Sequence, residues 1–324
     1  MYVTGGIGSS GDNEGFTRDF DLPNHTAYCE TCASCALIFW GDEMLRLTGD
    51  SEYADVIELA LFNNVLAGIS PQGDRYFYAN PLESRGEHAR VPWFGCACCP
   101  ANAARTIARV EEWAIRTAAD AGNATASVDF PVPGTTRIGD VELEITGDYP
   151  ATGAWTLRVR APRPTPFTLG LRIPGWANDV EIDTPDELGE AEYRSGYAVF
   201  ERDWTGETVI KIDWPMPPVW LAADPRVVDN AGRLALQKGP TVYALVRGGS
   251  PVAPQRLQID PEPEVVERTD RLEVEALYEP QDQPDLLYAL YEPKDPEEIT
   301  ATFVPYRDWA NDGRTEMLVW ARKL

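Results

Sequence analysis

The sequence predicts a chain that is helical over its first third and β-rich beyond it. Two observations predict this: apolar residues recur at helix spacing up to about residue 120, and they alternate with polar residues afterwards. The 324 residues are 44% hydrophobic and 25% charged, a globular composition with enough length for two or three domains. We divide the chain at 1–120, 121–221 and 222–324. No run of about 18 apolar residues occurs, so the sequence predicts no membrane-spanning helix.

Three helices are expected in the first part. The stretch Cys32–Leu47 is apolar nearly all round, which is typical of a helix buried on most sides, and Gly49 ends it. A second helix follows a cap at residues 50–51, and a third follows Pro100. Between them, Arg75–Ala79 is predicted as a short strand.

The strand predictions rest on runs of apolar residues with a period of two. These runs are Val141, Leu143 and Ile145; Trp155, Leu157 and Val159; Phe167, Leu169, Leu171 and Ile173; and Ile210, Ile212 and Trp214. Turn residues separate them at the spacing of a β-sandwich, so one or two antiparallel β-sandwich domains are expected. Residues 215–218 would join the two, and residues 250–300, rich in Pro, Asp and Glu, are expected to hold long exposed loops.

Charge excludes some partners. The 28 basic and 52 acidic residues give a net charge of −24, which repels nucleic acid and anionic lipid. Four lysines against 24 arginines, with the acidic excess, indicate a halophilic protein suited to concentrated salt, although codon usage in a high-GC genome would leave a similar signature. The first residues lack the basic head and apolar core of a signal peptide, so a cytoplasmic location is expected.

All six cysteines lie in the first hundred residues, in two clusters. One holds Cys29, Cys32 and Cys35, and the other holds Cys96, Cys98 and Cys99. The tight spacings and the expected cytoplasmic location argue against disulfides. Thiols grouped with a carboxylate suit a borderline metal such as zinc, while buried inert thiols and redox or iron–sulfur chemistry remain alternatives.

Several motifs carry a family resemblance. They are Tyr2-Val-Thr-Gly-Gly-Ile-Gly-Ser with Glu14, Glu30-Thr-Cys32-Ala-Ser, Tyr76-Phe-Tyr-Ala-Asn-Pro-Leu82, Cys98-Cys99-Pro100, Leu171-Arg-Ile-Pro-Gly-Trp176, Lys238-Gly-Pro-Thr-Val-Tyr243 and Pro305-Tyr-Arg-Asp-Trp-Ala-Asn. With these motifs, the chain resembles glycoside hydrolase family 127, which is typified by β-L-arabinofuranosidases. The Glu-x-Cys and Cys-Cys-Pro motifs are highly specific, and the later ones are supportive.

The resemblance implies a fold and a mechanism. Residues 1–120 would be the C-terminal part of an (α/α)6 barrel catalytic domain, followed by β-sandwich domains. The family is composed of retaining glycosidases with a zinc-bound cysteine nucleophile. Carried over by motif, Glu30, Cys32, Cys98 and Cys99 would bind Zn²⁺, Cys98 would be the nucleophile, and Glu14 would be the acid/base.

These roles make chemical sense. A free thiol is mostly protonated at neutral pH, whereas zinc holds it as the nucleophilic thiolate. Retention needs a nucleophile and an acid/base on opposite sides of one bond, a task usually filled by two carboxylates. Glu14 must be protonated to act first, and we expect it to be buried beside the metal–thiolate centre.

Simpler interpretations stand beside each role. Glu14 lies in a loop where a glutamate is usually just solvated, and Glu30 could be a first-turn carboxylate that interacts with a helix dipole. Cys99 is chemically identical to Cys98. Tyr78 either hydrogen-bonds the sugar or packs in the core. We expect the remaining thiols to be small buried hydrophobes or alternative ligands; they belong to Cys29, Cys35 and Cys96.

The resemblance begins in the middle of the family's barrel, so we expect a fragment, a mis-assigned start or half of a split gene, poorly active alone. A small oligosaccharide or arabinoside is the expected substrate, and a homodimer through the last β-domain is compatible with the family. Two other classes stay open. A carbohydrate-binding module would need neither cysteine cluster, and a structural zinc protein would tolerate the loss of Glu14.

Overall fold

The computed structural model describes residues 1–120, 123–260, 262–280, 287–288 and 290–324. The chain folds into two compact units, each built from separate stretches. One unit comprises Met1–Ser34, Phe62–Pro100 and Pro218–Leu324, and the other comprises Cys35–Leu61 and Ala101–Pro217. No helix among the described residues is long and apolar enough to cross a membrane.

In the part of the chain that the structure describes, the α-helices lie in the first 114 residues. They are α1 (Thr31–Thr48), α2 (Glu52–Leu59), α3 (Cys98–Ile107) and α4 (Val110–Ala114), with a π-helical segment at Ala60–Val65. Gly49 adopts φ +70°, a left-handed conformation that glycine reaches without strain, and α1 ends there. Short 3-10 turns occur at Asp186–Leu188, Val228–Asn230, Pro254–Arg256 and Tyr306–Asp308.

The first two predicted helices are confirmed. The third begins at Cys98, before Pro100, and a break at residues 108–109 separates it from α4. Proline is tolerated in the first turn of a helix because its missing N–H has no intrahelical partner there. The strand predicted at Arg75–Ala79 is wrong: Tyr76 forms only isolated bridges, to Ile69 and Val91.

Eighteen strands complete the described fold. In chain order they are β1 (Glu83–Arg85), β2 (Ile115–Asp120), β3 (Asn123–Val128), β4 (Gly134–Ile138), β5 (Val141–Gly147), β6 (Ala154–Arg172), β7 (Glu181–Asp183), β8 (Glu192–Arg194), β9 (Tyr197–Asp213), β10 (Pro218–Leu221), β11 (Arg233–Lys238), β12 (Thr241–Val246), β13 (Gln258–Ile259), β14 (Val265–Glu267), β15 (Leu272–Tyr278), β16 (Glu297–Pro305), β17 (Glu316–Leu318) and β18 (Trp320–Lys323).

Strands β2 to β9 form one sheet in the second unit. Its centre is the antiparallel pair β6–β9, whose register shifts between Ala161 and Thr165, where two prolines interrupt the ladder. The first half of β6 pairs with β5 and the second half pairs in parallel with β3. One apolar core collects buried residues from both halves, so the two runs predicted as separate strands are a single strand bent at its middle.

The same unit buries an arginine. Arg172, fully buried near the end of β6, donates to Glu58 at 3.0 and 2.8 Å and also pairs with Asp55. Trp176 Nε1 donates to Glu58 Oε2 at 2.8 Å. Burial alone would lower the pKa of Arg172, but the adjacent Glu58 and Asp55 carboxylates raise it above the ordinary value. The arginine therefore stays charged and ties α2 to the sheet.

The ten-stranded sheet of the first unit closes on itself. The order β12-β16-β15-β13-β18-β11 returns to β12 through the β11–β12 hairpin, with β10 beside β11 and β1 beside β17. A core of aliphatic side chains with Phe303 fills it. The sequence predicted a second antiparallel sandwich here, and closure instead removes the free edges that an open sheet would leave.

The expected loops at residues 250–300 are partly replaced by strands. β13, β14, β15 and the start of β16 fall in this stretch. The rest of the prediction concerns in part residues 261, 281–286 and 289, which lie outside the described residues.

Candidate active site

The site is built on a sharp bend at residues 28–30 in the first unit. Cys29 is fully buried with φ +39°, and its carbonyl accepts hydrogen bonds from Asn64 Nδ2 at 3.1 Å and Asn80 Nδ2 at 2.9 Å. Gly6 packs against this bend so closely that a Cβ there would lie 2.7 Å from Cys29 Sγ. These contacts fix the direction in which Glu30 enters α1.

Glu30 is placed at the start of α1. Its carbonyl accepts the hydrogen bond from Ser34 N at 3.1 Å, and Thr31 N donates to Tyr78 O at 3.0 Å. Cys32 follows on the first turn. The positive end of the helix dipole favours a carboxylate at this position, as expected for the alternative in which Glu30 has no ligand role.

Cys98 and Cys99 begin α3, so their sulfurs also lie at a helix N-terminus. Cys32 Sγ lies 3.4 Å from Cys99 Sγ, and Cys98 Sγ lies 3.9 Å from Cys99 Sγ. Glu30 Oε1 lies 3.7 Å from each of the sulfurs of Cys98 and Cys99. The four donor atoms all fall within 4.8 Å of one another, although the two segments that carry them are more than 60 residues apart in sequence.

The donor set fits a tetrahedral metal ion. Zinc–sulfur bonds of about 2.3 Å place neighbouring ligands of a tetrahedron about 3.8 Å apart, and the measured contacts run from 3.4 to 3.9 Å. Three thiols with one carboxylate suit zinc or another borderline cation. A metal would also relieve the crowding of three thiolates and a carboxylate.

The two adjacent cysteines differ in their acidity. Burial raises the pKa of Cys98, but hydrogen bonds with Tyr78, Cys32, Cys99 and Cys96 outweigh it and lower the pKa below the ordinary value. Burial, and then the hydrogen bond with Cys32, raise the pKa of Cys99. Cys98 is also the more exposed of the pair, so it is the better nucleophile by both criteria.

Tyr78 links Cys98 to Glu14. Its hydroxyl lies 3.6 Å from Cys98 Sγ and 3.3 Å from Glu14 Oε1. The hydrogen bond with Cys98, together with burial, raises the pKa of Tyr78, so this phenol stays protonated. Because both contacts share one hydroxyl, the Cys98 sulfur and Glu14 Oε1 lie no more than about 7 Å apart, a limit that includes the roughly 5 Å between the two carboxyl groups of retaining glycosidases.

Glu14 lies at the tip of a turn closed by the Ser10–Gly15 bridge, with φ +50°. Its side chain is exposed, so the expected burial is wrong for the described chain. Tyr28 donates a second hydrogen bond to Glu14 Oε1, at 2.8 Å. Sequence motifs do not identify Tyr28 as a site residue; its position two residues before Glu30 is the available signal.

Two aromatic residues, Trp93 and Phe94, precede the second cysteine cluster in the chain. Phe94 packs edge-on to Tyr78 with ring centroids 5.5 Å apart, and the Trp93 side chain is exposed. His88 stacks on Phe77 at 4.6 Å and contributes no ligand to the described cluster. The prediction of buried extra thiols holds for Cys29 and Cys35, whereas Cys96 is exposed.

Comparisons with known proteins agree with the motifs. Three family models match: the beta-L-arabinofuranosidase, glycoside hydrolase family 127 catalytic domain over residues 1–112, the middle domain over 132–216, and the family's C-terminal domain over 218–322. A non-reducing end beta-L-arabinofuranosidase of Bifidobacterium longum subsp. longum is 35% identical, over 100% of this chain and 53% of its own length.

Solved structures give the same result. A family 127 beta-L-arabinofuranosidase from Geobacillus stearothermophilus T6 superposes with a TM-score of 0.87 at 36% identity, covering 100% of this chain and 54% of that one. A second family 127 beta-arabinofuranosidase gives a TM-score of 0.89 at 28% identity, with 100% and 54% coverage. This chain thus spans about half the length of these relatives. Its sequence and fold show that it belongs to glycoside hydrolase family 127.

Proposed function

We propose that this chain carries the zinc–thiolate centre of a retaining glycosidase that acts on β-L-arabinofuranosides. Glu30, Cys32, Cys98 and Cys99 would hold Zn²⁺, Cys98 would be the nucleophile and Glu14 the acid/base. The observation that carries the proposal is the convergence of four donor atoms with a Tyr78 hydroxyl that contacts both Cys98 and Glu14.

Bound zinc would keep the cysteine sulfurs deprotonated at neutral pH. In the first step, Cys98 Sγ attacks the anomeric carbon and the bond from that carbon to the departing oxygen breaks. The proton carried by Glu14 goes to this oxygen, so the aglycone leaves as an alcohol. The sugar is then joined to Cys98 through a carbon–sulfur bond.

In the second step, ionised Glu14 takes a proton from water as the water oxygen attacks the anomeric carbon. The carbon–sulfur bond breaks, the sulfur recovers its electron pair, and two inversions give net retention. Both tyrosine hydroxyls bond to Oε1 of Glu14, which leaves Oε2 as the oxygen that carries the proton. Tyr78, between the two reacting groups, is the residue we assign to contact the sugar.

The domain boundaries and the activity of the chain by itself are also proposals. Residues 1–120 would be part of an (α/α)6 barrel, with β-domains at 121–221 and 222–324. We propose that the 324-residue chain by itself has little glycosidase activity; strong release of arabinose from an aryl β-L-arabinofuranoside by this chain would overturn that. We also propose that the protein forms a homodimer through the last β-domain, that it comes from a halophilic habitat, and that it is cytoplasmic.

Zinc per chain, measured by elemental analysis on protein purified under reducing conditions in high salt, tests the centre. We expect one zinc in the wild type and a loss in Cys32→Ser. The matched control is Cys35→Ala, on the same helix but outside the cluster, which should keep its zinc. Folded wild-type protein without zinc would contradict the proposed centre.

A second measurement separates a catalytic from a purely structural metal. Glu14→Gln should keep the zinc, since Glu14 is not among the clustered donors. In a longer protein with measurable activity, the same substitution should abolish turnover, and azide should restore cleavage of a substrate with a good leaving group. An unchanged rate in Glu14→Gln would favour a structural zinc protein.

A further inference from the structure

Two buried asparagines hold the bend that precedes Glu30. The carbonyl of Cys29 accepts one hydrogen bond from Asn64 Nδ2 at 3.1 Å and another from Asn80 Nδ2 at 2.9 Å. Both asparagine side chains are shielded from solvent. A carbonyl oxygen has two lone pairs, so these two donors satisfy it fully. The mechanism proposed above gives neither asparagine a role.

Each asparagine also bonds to the first turn of α1. Asn64 Nδ2 donates to Ser34 Oγ at 2.7 Å, and Asn80 Nδ2 donates to Thr31 Oγ1 at 2.9 Å. An amide NH2 group carries two donors, so both donors of both side chains are used on residues that flank Glu30. The two asparagines therefore tie the carbonyl before Glu30 to the hydroxyl groups after it.

The backbone of Cys29 needs this support because it is left-handed. Its φ of +39° lies in a region that residues with a Cβ disfavour. A rotation to an ordinary φ would turn the carbonyl away and leave buried N–H groups of the asparagines unpaired. It would also turn the Glu30 side chain away from the sulfurs of Cys98 and Cys99, which lie 3.7 Å from Glu30 Oε1.

We propose that Asn64 and Asn80 are positioning residues for the metal centre, which keep Cys29 left-handed and so orient the Glu30 carboxylate towards the ion. This inference rests on the proposed centre. Glu30 is the one non-sulfur donor in the described cluster, so the asparagines act on a single ligand and leave the three thiols in place. Residues that orient a metal ligand without touching the ion typically contribute about 10- to 100-fold to metal affinity.

The zinc affinity of the reduced chain, measured by competition with a chromophoric chelator, tests this. Asn64→Ala and Asn80→Ala should each weaken zinc binding about tenfold, since the other amide still holds the carbonyl. The matched control is Asn63→Ala. Asn63 is equally buried, but its amide bonds to Pro240 O and Val242 N instead. This control should lose stability but keep its zinc affinity within about twofold of the wild type.

A double-substitution cycle separates positioning from a general loss of packing. In Glu30→Ala the ligand is already absent, so adding Asn80→Ala should change the zinc affinity by less than about twofold. Adding Cys29→Gly to Asn80→Ala should restore most of the lost affinity, because glycine adopts the left-handed conformation without strain. A defect in packing alone would not be repaired in this way.

Wild-type zinc affinity in folded Asn64→Ala and Asn80→Ala would overturn the inference while leaving the proposed zinc centre intact. An equal loss of affinity in Asn63→Ala, or additive losses for Glu30→Ala and Asn80→Ala, would also overturn it. If Asn80→Ala does not fold, Asn64→Ala decides, because it keeps one of the two bonds to the carbonyl. A folded wild type that binds no zinc would overturn both the inference and the proposed centre.

Discussion

Replacing Arg172 with methionine should strongly destabilise the second unit. The guanidinium is fully buried, and its partner Glu58 is 1% exposed, so the substitution leaves a carboxylate in the core without its counter-charge. Removing one partner of a buried pair costs about 3–5 kcal/mol. Glu58 keeps hydrogen bonds from Trp176 Nε1 and the Tyr149 hydroxyl, which places the expected loss near the lower end, at about 3 kcal/mol.

Urea unfolding followed by circular dichroism measures this loss. With an m-value of about 2 kcal/mol/M, the midpoint should fall by about 1.5 M. Arg163→Met is the control because Arg163 and its partner Asp140 are exposed, and breaking that pair should cost less than about 1 kcal/mol. Arg172→Met/Glu58→Leu should recover much of the stability, since it removes the orphaned charge. A loss below about 1 kcal/mol in Arg172→Met would show that the buried Arg172–Glu58 pair does not stabilise this unit as described.

Four further outcomes are expected. Asn63→Ala should lower the free energy of unfolding in urea by about 2–3 kcal/mol. The buried Asn63 amide donates to a backbone carbonyl at 2.9 Å and accepts from a backbone N–H at 2.8 Å, both around the β11–β12 turn. An unchanged free energy of unfolding would show that water replaces the lost amide. Burial lowers the pKa of His88, so as the pH falls the unfolded chain binds a proton at this histidine before the folded chain does. The free energy of unfolding of the wild type should therefore fall more steeply below about pH 6.5 than that of His88→Gln. Parallel plots of stability against pH for the two proteins would contradict this. In metal-free protein, Tyr78→Phe should slow iodoacetamide labelling of Cys98 at neutral pH, measured by peptide mass spectrometry, since the tyrosine hydrogen bond helps to lower the pKa of that thiol. Because the net charge is −24, the thermal midpoint should rise between 0.1 and 2 M KCl, and a midpoint independent of salt would contradict the proposed salt adaptation.

The local elements were predictable where one pattern dominated. The apolar stretch Cys32–Leu47 and the following Gly49 predicted α1 to within a residue at each end, because helix periodicity and a left-handed glycine are local signals. Alternation over Val141–Ile145 predicted a strand with the same face buried. The strand prediction for Arg75–Ala79 was wrong because this segment, although its composition is strand-like, has no neighbouring strand paired along its length.

The residues of the proposed ligand set could be identified from the sequence because two short motifs contain them. Glu30 with Cys32, and Cys98 with Cys99, each lie within three residues of chain, and each pair sits at the first turn of a helix. The Tyr28 hydrogen bond to Glu14 was not predictable, since it depends on how the N-terminal turn folds back over the bend at Cys29.

Short windows of the sequence are enough to assign the family, to order the helices before the strands, and to identify the residue types of the proposed metal centre. The folded chain was needed to show which thiol is acidic, which cysteine is exposed, that Tyr78 contacts both Cys98 and Glu14, and that the last sheet closes on itself. These properties arise between segments distant along the chain, where burial and hydrogen bonding depend on packing that no local pattern records.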